Sequence, residues 1–168
     1  KLVHIELHLH SMSVSLMSQE GKVKVEESII IEKCGQTTFY KVWINMISAA
    51  FIDQCRFDPL HSAESDQAII DGLPLWISDS INKDAIEISI KYDKQIYKIE
   101  IESAKFCEAA KPLYRLLINR VRSIFSVNDL PAIQLTNQVA QLPGVIDALK
   151  NSLSSSVYVL DDGEIERG

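Results

Sequence analysis

Between Leu2 and Glu32 apolar and polar positions alternate in three bursts: Val3, Ile5, Leu7 and Leu9; then Val14 and Leu16; then Val23 and Val25 leading into Ile29-Ile30-Ile31. A period of two puts one set of side chains on a core face and the other toward water. The stretch therefore predicts three consecutive antiparallel strands, with Glu20-Gly21 turning the second into the third. Gly35 breaks the alternation, Thr37 or Thr38 can cap, and Phe39, Val42, Trp43, Met46, Ile47, Ala50 and Phe51 recur at three-four spacing. That is an amphipathic helix, stopped at Arg56-Phe57-Asp58-Pro59 because proline holds the preceding residue away from helical dihedrals.

A second helix opens near Ser65 with Ile69, Ile70, Leu73, Trp76, Ile77 and Ile81 on one side, and Gly72 and Pro74 inside the run predict a kink or a split. Ile86, Ile88, Ile90 and Tyr97, Ile99, Ile101 alternate strictly around Tyr92-Asp93-Lys94-Gln95, which reads as a hairpin. A long helix follows from about Ala104 to Phe125, kinked at Pro112, with a stripe of Phe106, Ala109, Leu113, Leu116, Leu117, Val121 and Ile124. Then come a strand at 132–136, a helix with Pro143 in its first turn and Val145, Ile146, Leu149 and Leu153 on its apolar face, and a short strand at 157–160.

The composition fits a packed chain. Of 168 residues 46% are hydrophobic and 24% charged, enough apolar mass for a core, and no low-complexity tract is present. Net charge is −6 and no basic run occurs, which argues against nucleic acid as a partner. No apolar run approaches the roughly 18 residues of a membrane helix, so no membrane partner is expected. Cys34, Cys55 and Cys107 are odd in number, scattered and without a CxxC pair, which favours a reducing compartment such as the cytoplasm. The chain starts inside a strand pattern with no initiator Met and reads as a fragment.

Three hairpin-linked strands, a helix opening at Cys34-Gly35-Gln36-Thr37-Thr38-Phe39, an inserted module, a long return helix and a strand–turn–helix with Pro resemble the second lobe of the actin, heat-shock chaperone and sugar kinase superfamily. The resemblance implies an α/β fold, a ribonuclease H-like actin-type lobe with a five-stranded mixed sheet and flanking helices at 1–56 and 110–168, with a small α+β module of helix and hairpin inserted at 57–109. Where that family carries Asp-x-Gly-Gly-Gly-Thr on its phosphate hairpin, this chain reads Glu6-Leu7-His8-Leu9-His10-Ser11. Where the family's adenosine loop reads apolar-Gly-Gly-x-x-Arg-apolar-Pro, Thr136-Asn137-Gln138-Val139-Ala140-Gln141-Leu142-Pro143 stands here, and Glu164-Ile165-Glu166-Arg167-Gly168 looks like the start of the closing helix.

The motif scaffolds survive while their glycines do not. Glycine lets backbone N–H groups approach phosphate and ribose, and a Cβ obstructs that approach. His8, Leu9 and His10 fill phosphate space, Asn137 and Gln138 crowd the adenosine turn, and Gln141 removes a positive charge; only Gly35 and Ser11 match. The resemblance thus implies a degenerate nucleotide site, no cofactor, no catalytic residue, and action through an unknown protein partner, with the first lobe of the same chain missing. An alternative is a working ATPase in which that first lobe supplies most ATP and magnesium contacts and Glu6 replaces the usual acid.

Other constellations have plainer readings. His4, Glu6, His8 and His10 alternate onto one strand face, and His8-x-His10 spacing can place two imidazoles on a transition metal, with Glu6 or His61 as further ligands. A polar strand face looking into an open cleft is the favoured reading, because no second element supplies identifiable ligands, and no metal site is expected. Asp58 and His61 with Ser11, Ser13 or Ser15 lack a nucleophile elbow and suit caps and turns. The cysteines read as small buried hydrophobes, Trp43 and Trp76 as core, and Lys111, Arg115, Arg120 and Arg122 as the solvated face of the long helix.

Overall fold

The computed structural model describes residues 1–161. Among them the elements run β1 (Leu2–Leu7), β2 (Ser11–Glu20), β3 (Lys22–Glu32), α1 (Gln36–Cys55), α2 (Ala63–Asn82), β4 (Ala85–Tyr92), β5 (Gln95–Glu102), α3 (Ala104–Ser123), β6 (Ala132–Leu135), α4 (Asn137–Ala140), α5 (Val145–Leu153) and β7 (Val157–Val159). The chain divides into two compact units, one of residues 1–39 with those from Lys111 onward, the other Tyr40–Ala110. The architecture is α/β, with flanking helices and a mixed sheet of five strands. The segment 164–168 anticipated as a closing helix lies outside the described residues.

In the first unit the sheet order is β3-β2-β1-β6-β7. β1 pairs antiparallel with β2 and parallel with β6, so the sheet changes sense at β1. Val3, Ile5, Leu7, Met12, Val14, Leu16, Ile31, Ile133 and Leu135 are buried, as are Phe39, Tyr114, Leu117, Val121, Val145 and Leu149 from the helices. Each such side chain contributes roughly 1.5–3 kcal/mol of transfer free energy, so the alternation read from the sequence is what sets this register. The other face of the sheet carries a polar row, in which His4 Nδ1 donates to Gln134 Oε1 at 3.1 Å and Ser15 and Ser28 share a hydrogen bond of 3.0 Å. Tyr114 Oη donates to the Pro143 carbonyl at 2.6 Å, and Arg122 Nη2 donates to the Ser152 carbonyl at 2.7 Å.

The second unit is built around Trp43, which is fully buried and donates from Nε1 to the Phe106 carbonyl at 3.0 Å. β4 and β5 form their own two-stranded sheet, closed by Asp93 and Lys94 at φ 47° and 61°. Two successive positive φ values match the right-handed twist of a hairpin. Ile69, Leu73 and Ile77 of α2 and Ile88 and Ile99 of the hairpin are buried, and α2 packs on β4. Phe57 stacks on Tyr97 at 4.0 Å and 7°, with Phe51 edge-on at 6.1 Å.

Several expectations are corrected. α2 is one continuous helix through Gly72 and Pro74. Pro74 is exposed, so its missing N–H disturbs only the solvent side, and the bare Cα of Gly72 accommodates the Trp76 indole, whose Cζ2 would lie 2.3 Å from an added Cβ. Ile70 and Ile81 point outward, at 40% and 51% exposure, and so does Leu116 of α3. β1 stops at Leu7, leaving Leu9 56% exposed in the turn. Pro143 precedes α5, whose N-cap is Gly144 at φ 78°. The short helix α4 has no counterpart in the sequence reading.

Candidate functional site

The first unit gathers the motif residues at the carboxyl ends of β1 and β6. In open α/β sheets that end, beside the strand where the connection changes direction, is where ligands bind. Leu7 pairs with Met12, the His8 N–H donates to the Ser11 carbonyl at 2.9 Å, and only Leu9 and His10 form the tip. Thus His8, just past the end of β1, keeps its ring beside Glu6 as the alternation implied, whereas His10 sits in the turn and reaches Thr37 instead.

The N-terminus of α1 closes onto this turn. Gln36 N donates to the His8 carbonyl at 2.9 Å and Thr37 N to the Leu9 carbonyl at 3.0 Å, while Thr38 N and Phe39 N both reach the Gly35 carbonyl. The donors that a helix start ordinarily leaves for a ligand are all committed. Thr37 Oγ1 also donates to the Leu9 carbonyl at 3.1 Å; its one proton is spent there, so His10 Nδ1 donates to it at 3.2 Å. Gly35 is required for the closure, since a Cβ on it would lie 2.3 Å from the His10 carbonyl carbon and 2.4 Å from Ser11 N.

On the strand face Glu6 is exposed, with Oε2 at 4.0 Å from His8 Nε2, and the same nitrogen lies 3.0 Å from Ser13 Oγ. Serine and carboxylate share one ring nitrogen, so no Ser–His–acid relay exists, because a relay needs the acid on Nδ1. Across β1, Thr136 N donates to the Ile5 carbonyl at 3.2 Å, and α4 then winds directly from Asn137. Buried Val139 and Leu142 anchor that turn, which places Asn137 and Gln138 in helical geometry with Gln138 and Gln141 exposed. Thr136 Oγ1 is buried without a hydrogen-bond partner, so the N-cap is unused.

The structure therefore brings Glu6, His8, His10, Ser11 and Gly35 together around one turn, and Asn137, Gln138 and Gln141 around another, on adjacent parallel strands. Among the described residues no three His, Cys, Asp or Glu side chains converge on a metal position. His61 belongs to the other unit, in a 3-10 turn capped by Asp58, whose Oδ1 accepts from Leu60 N at 3.0 Å. Cys34 is fully buried, and burial pushes its thiol up to about 11. Cys55 is only half-buried and its Sγ lies 3.2 Å from the Lys98 carbonyl; Cys107 is half-buried too. Trp43 is core, whereas Trp76 is half-buried.

Sequence reasoning missed Gln36, whose contribution is a backbone N–H that leaves no mark on residue type, and named Thr37 only as a possible cap, whereas its hydroxyl bridges Leu9 and His10. The N–H groups at the start of α1 are all hydrogen-bonded within the chain, and side chains larger than glycine line both turns. No family model matches this sequence, and no curated protein matches it. Among the described residues no helix is long and apolar enough to cross a membrane. Fold and site together define an α/β unit with a mixed five-stranded sheet, in which the start of α1 is hydrogen-bonded onto the β1–β2 turn.

Proposed function

We propose that the chain is an actin-type lobe, related to the chaperone and sugar kinase superfamily, whose nucleotide cleft has degenerated and which acts by binding other proteins. The observation that carries this reading is the closure of α1 on the β1–β2 turn, where His8 and Leu9 carbonyls take the N–H groups of Gln36 and Thr37. Phosphoryl chemistry depends on positioned donors and electrostatic stabilisation. A site that spends its donors internally has neither. No metal or nucleotide enters this reading.

The test is thermal unfolding with and without 5 mM-scale magnesium ATP, about 100 times a tens-of-micromolar Kd, where mass action would add about 2.7 kcal/mol. The expected shift is below 1 °C, roughly the scatter of such a melt. A rise of several degrees, or ATP turnover that is abolished in Glu6→Gln, favours the ATPase alternative and overturns the proposal.

A further inference from the structure

Within the unit Tyr40–Ala110, the second half of α1 and the end of β5 enclose a groove of about 410 Å³. Met46, Ala49, Ala50 and Ile101 supply its apolar surface, and Asp53, Glu100 and Glu102 stand on its rim with Lys105. Lys105 Nζ lies 3.5 Å from Glu108, an i,i+3 partner on its own helix. Among the described residues none of the three rim carboxylates has an ion-pair partner. The imbalance extends beyond the groove, since residues 40–110 hold 12 Asp and Glu against seven Lys and Arg, a net of −5 out of the chain's −6.

Two observations narrow the occupant. The three carboxylates do not converge as metal ligands, so an ion alone is a poor fit. The outer edge of β5 is also taken: Gln54 Nε2 donates to the Glu100 carbonyl at 2.9 Å, Glu100 N donates to Gln54 Oε1 at 3.1 Å, and Cys55 Sγ covers the Lys98 carbonyl. A segment adding as another strand finds both backbone groups of Glu100 and the carbonyl of Lys98 already occupied. Side chains therefore carry the recognition, apolar into the alanine-floored groove and cationic onto its rim. We propose that this groove docks an extended segment of a partner protein in which lysine or arginine alternates with apolar residues. The proposal rests on the protein-binding reading above and names the surface and the chemistry of the partner.

The test uses a fluorescein-labelled hexapeptide of alternating Lys and Leu, with Lys-Ser and Glu-Leu peptides of equal length as comparisons, followed by anisotropy and by backbone amide shifts. Saturable binding of the Lys-Leu peptide is expected, with shifts at Ala49, Ala50 and Ile101, several-fold weaker binding of Lys-Ser, and none of Glu-Leu. Combined Asp53→Asn, Glu100→Gln and Glu102→Gln should weaken binding about tenfold, the sum of three exposed ion pairs. The same charge change placed on α2, as Glu64→Gln, Asp66→Asn and Asp71→Asn, should cost less than twofold. Ala49→Phe, which fills the groove without adding charge, should also abolish binding. Equal losses from both triple variants would show diffuse attraction and overturn the proposal, as would failure of the Lys-Leu peptide to saturate. Peptide failure with no response to magnesium ATP sinks the groove alone; peptide binding together with an ATP-dependent rise in melting temperature sinks the degenerate-site reading alone.

Discussion

Gly35→Ala is the sharpest test of the closed turn. The added methyl would sit 2.3 Å from the His10 carbonyl carbon, 2.4 Å from Ser11 N and 2.5 Å from His10 Cα, all backbone atoms of a two-residue turn that has no slack. Relief requires α1 and the turn to separate, which breaks the hydrogen bonds of Gln36 N and Thr37 N. Overpacking costs about 1–3 kcal/mol, and two backbone hydrogen bonds add about 0.5–1.5 kcal/mol each, so a loss of roughly 2–4 kcal/mol is expected with partial relaxation. For a chain of this length that is a fall in melting temperature of roughly 4–16 °C. Urea unfolding followed by far-UV circular dichroism gives the magnitude, and hydrogen exchange at Gln36 and Thr37 gives the location. Gly72→Ala is the contrast: the atoms nearest its methyl belong to the side chain of half-buried Trp76 rather than to backbone, and alanine regains about 1 kcal/mol of helix propensity. Its net effect should lie within about 1 kcal/mol of zero. Gly35→Ala unfolding like the parent, or with Gln36 and Thr37 amides still protected, would refute the reasoning.

Cys34 should make the fold alkali-sensitive. Its thiol is held up from 9.0 to about 11, so its stabilising share is complete below 9.0 and is lost as pH rises through about 11, a change of about 3 kcal/mol that Cys34→Ala should remove from a pH series of urea midpoints. Tyr114→Phe strips the donor from the buried Pro143 carbonyl and should cost about 1–2 kcal/mol by equilibrium unfolding; an unchanged midpoint would mean that carbonyl finds another donor. Calorimetric titration with zinc should show no stoichiometric micromolar site, and one that disappeared in a His8→Ala, His10→Ala double variant would contradict the two-ligand geometry of the turn.

The elements that were legible in the sequence owe that to burial of one face. Val3, Ile5 and Leu7 alternate because the sheet has a dry side, and Ile88 and Ile99 do so for the same reason in the hairpin. Where short-range rules competed with tertiary packing, the rules lost. Gly72-Pro74 reads as a helix breaker, but Trp76 fills the space glycine leaves and proline faces water. His10 continues the β1 alternation on paper, yet the backbone turns at Leu9 and His10, where Gly35 and α1 close against it. The groove was illegible for a different reason: Gln54 and Glu100 are separated by 46 positions, and nothing in either local pattern announces their pairing.

β1 meets β6 through Leu2↔Ala132, a separation of 130 positions, whereas its contact with β2 begins at Leu7↔Met12, five positions apart. Closing the longer loop costs roughly 3 kcal/mol more chain entropy. As the polypeptide leaves the ribosome, β1, β2 and β3 can assemble first, and every residue of the Tyr40–Ala110 unit is available before the strand that completes the main sheet exists. One edge of β1 must therefore wait, unpaired, through the synthesis of about a hundred residues. During that interval it is a template for the wrong strand as much as for β6. Pulse-labelling hydrogen exchange during refolding should show β2 and β4 amides protected before those of β6, and simultaneous protection would remove the basis for this order.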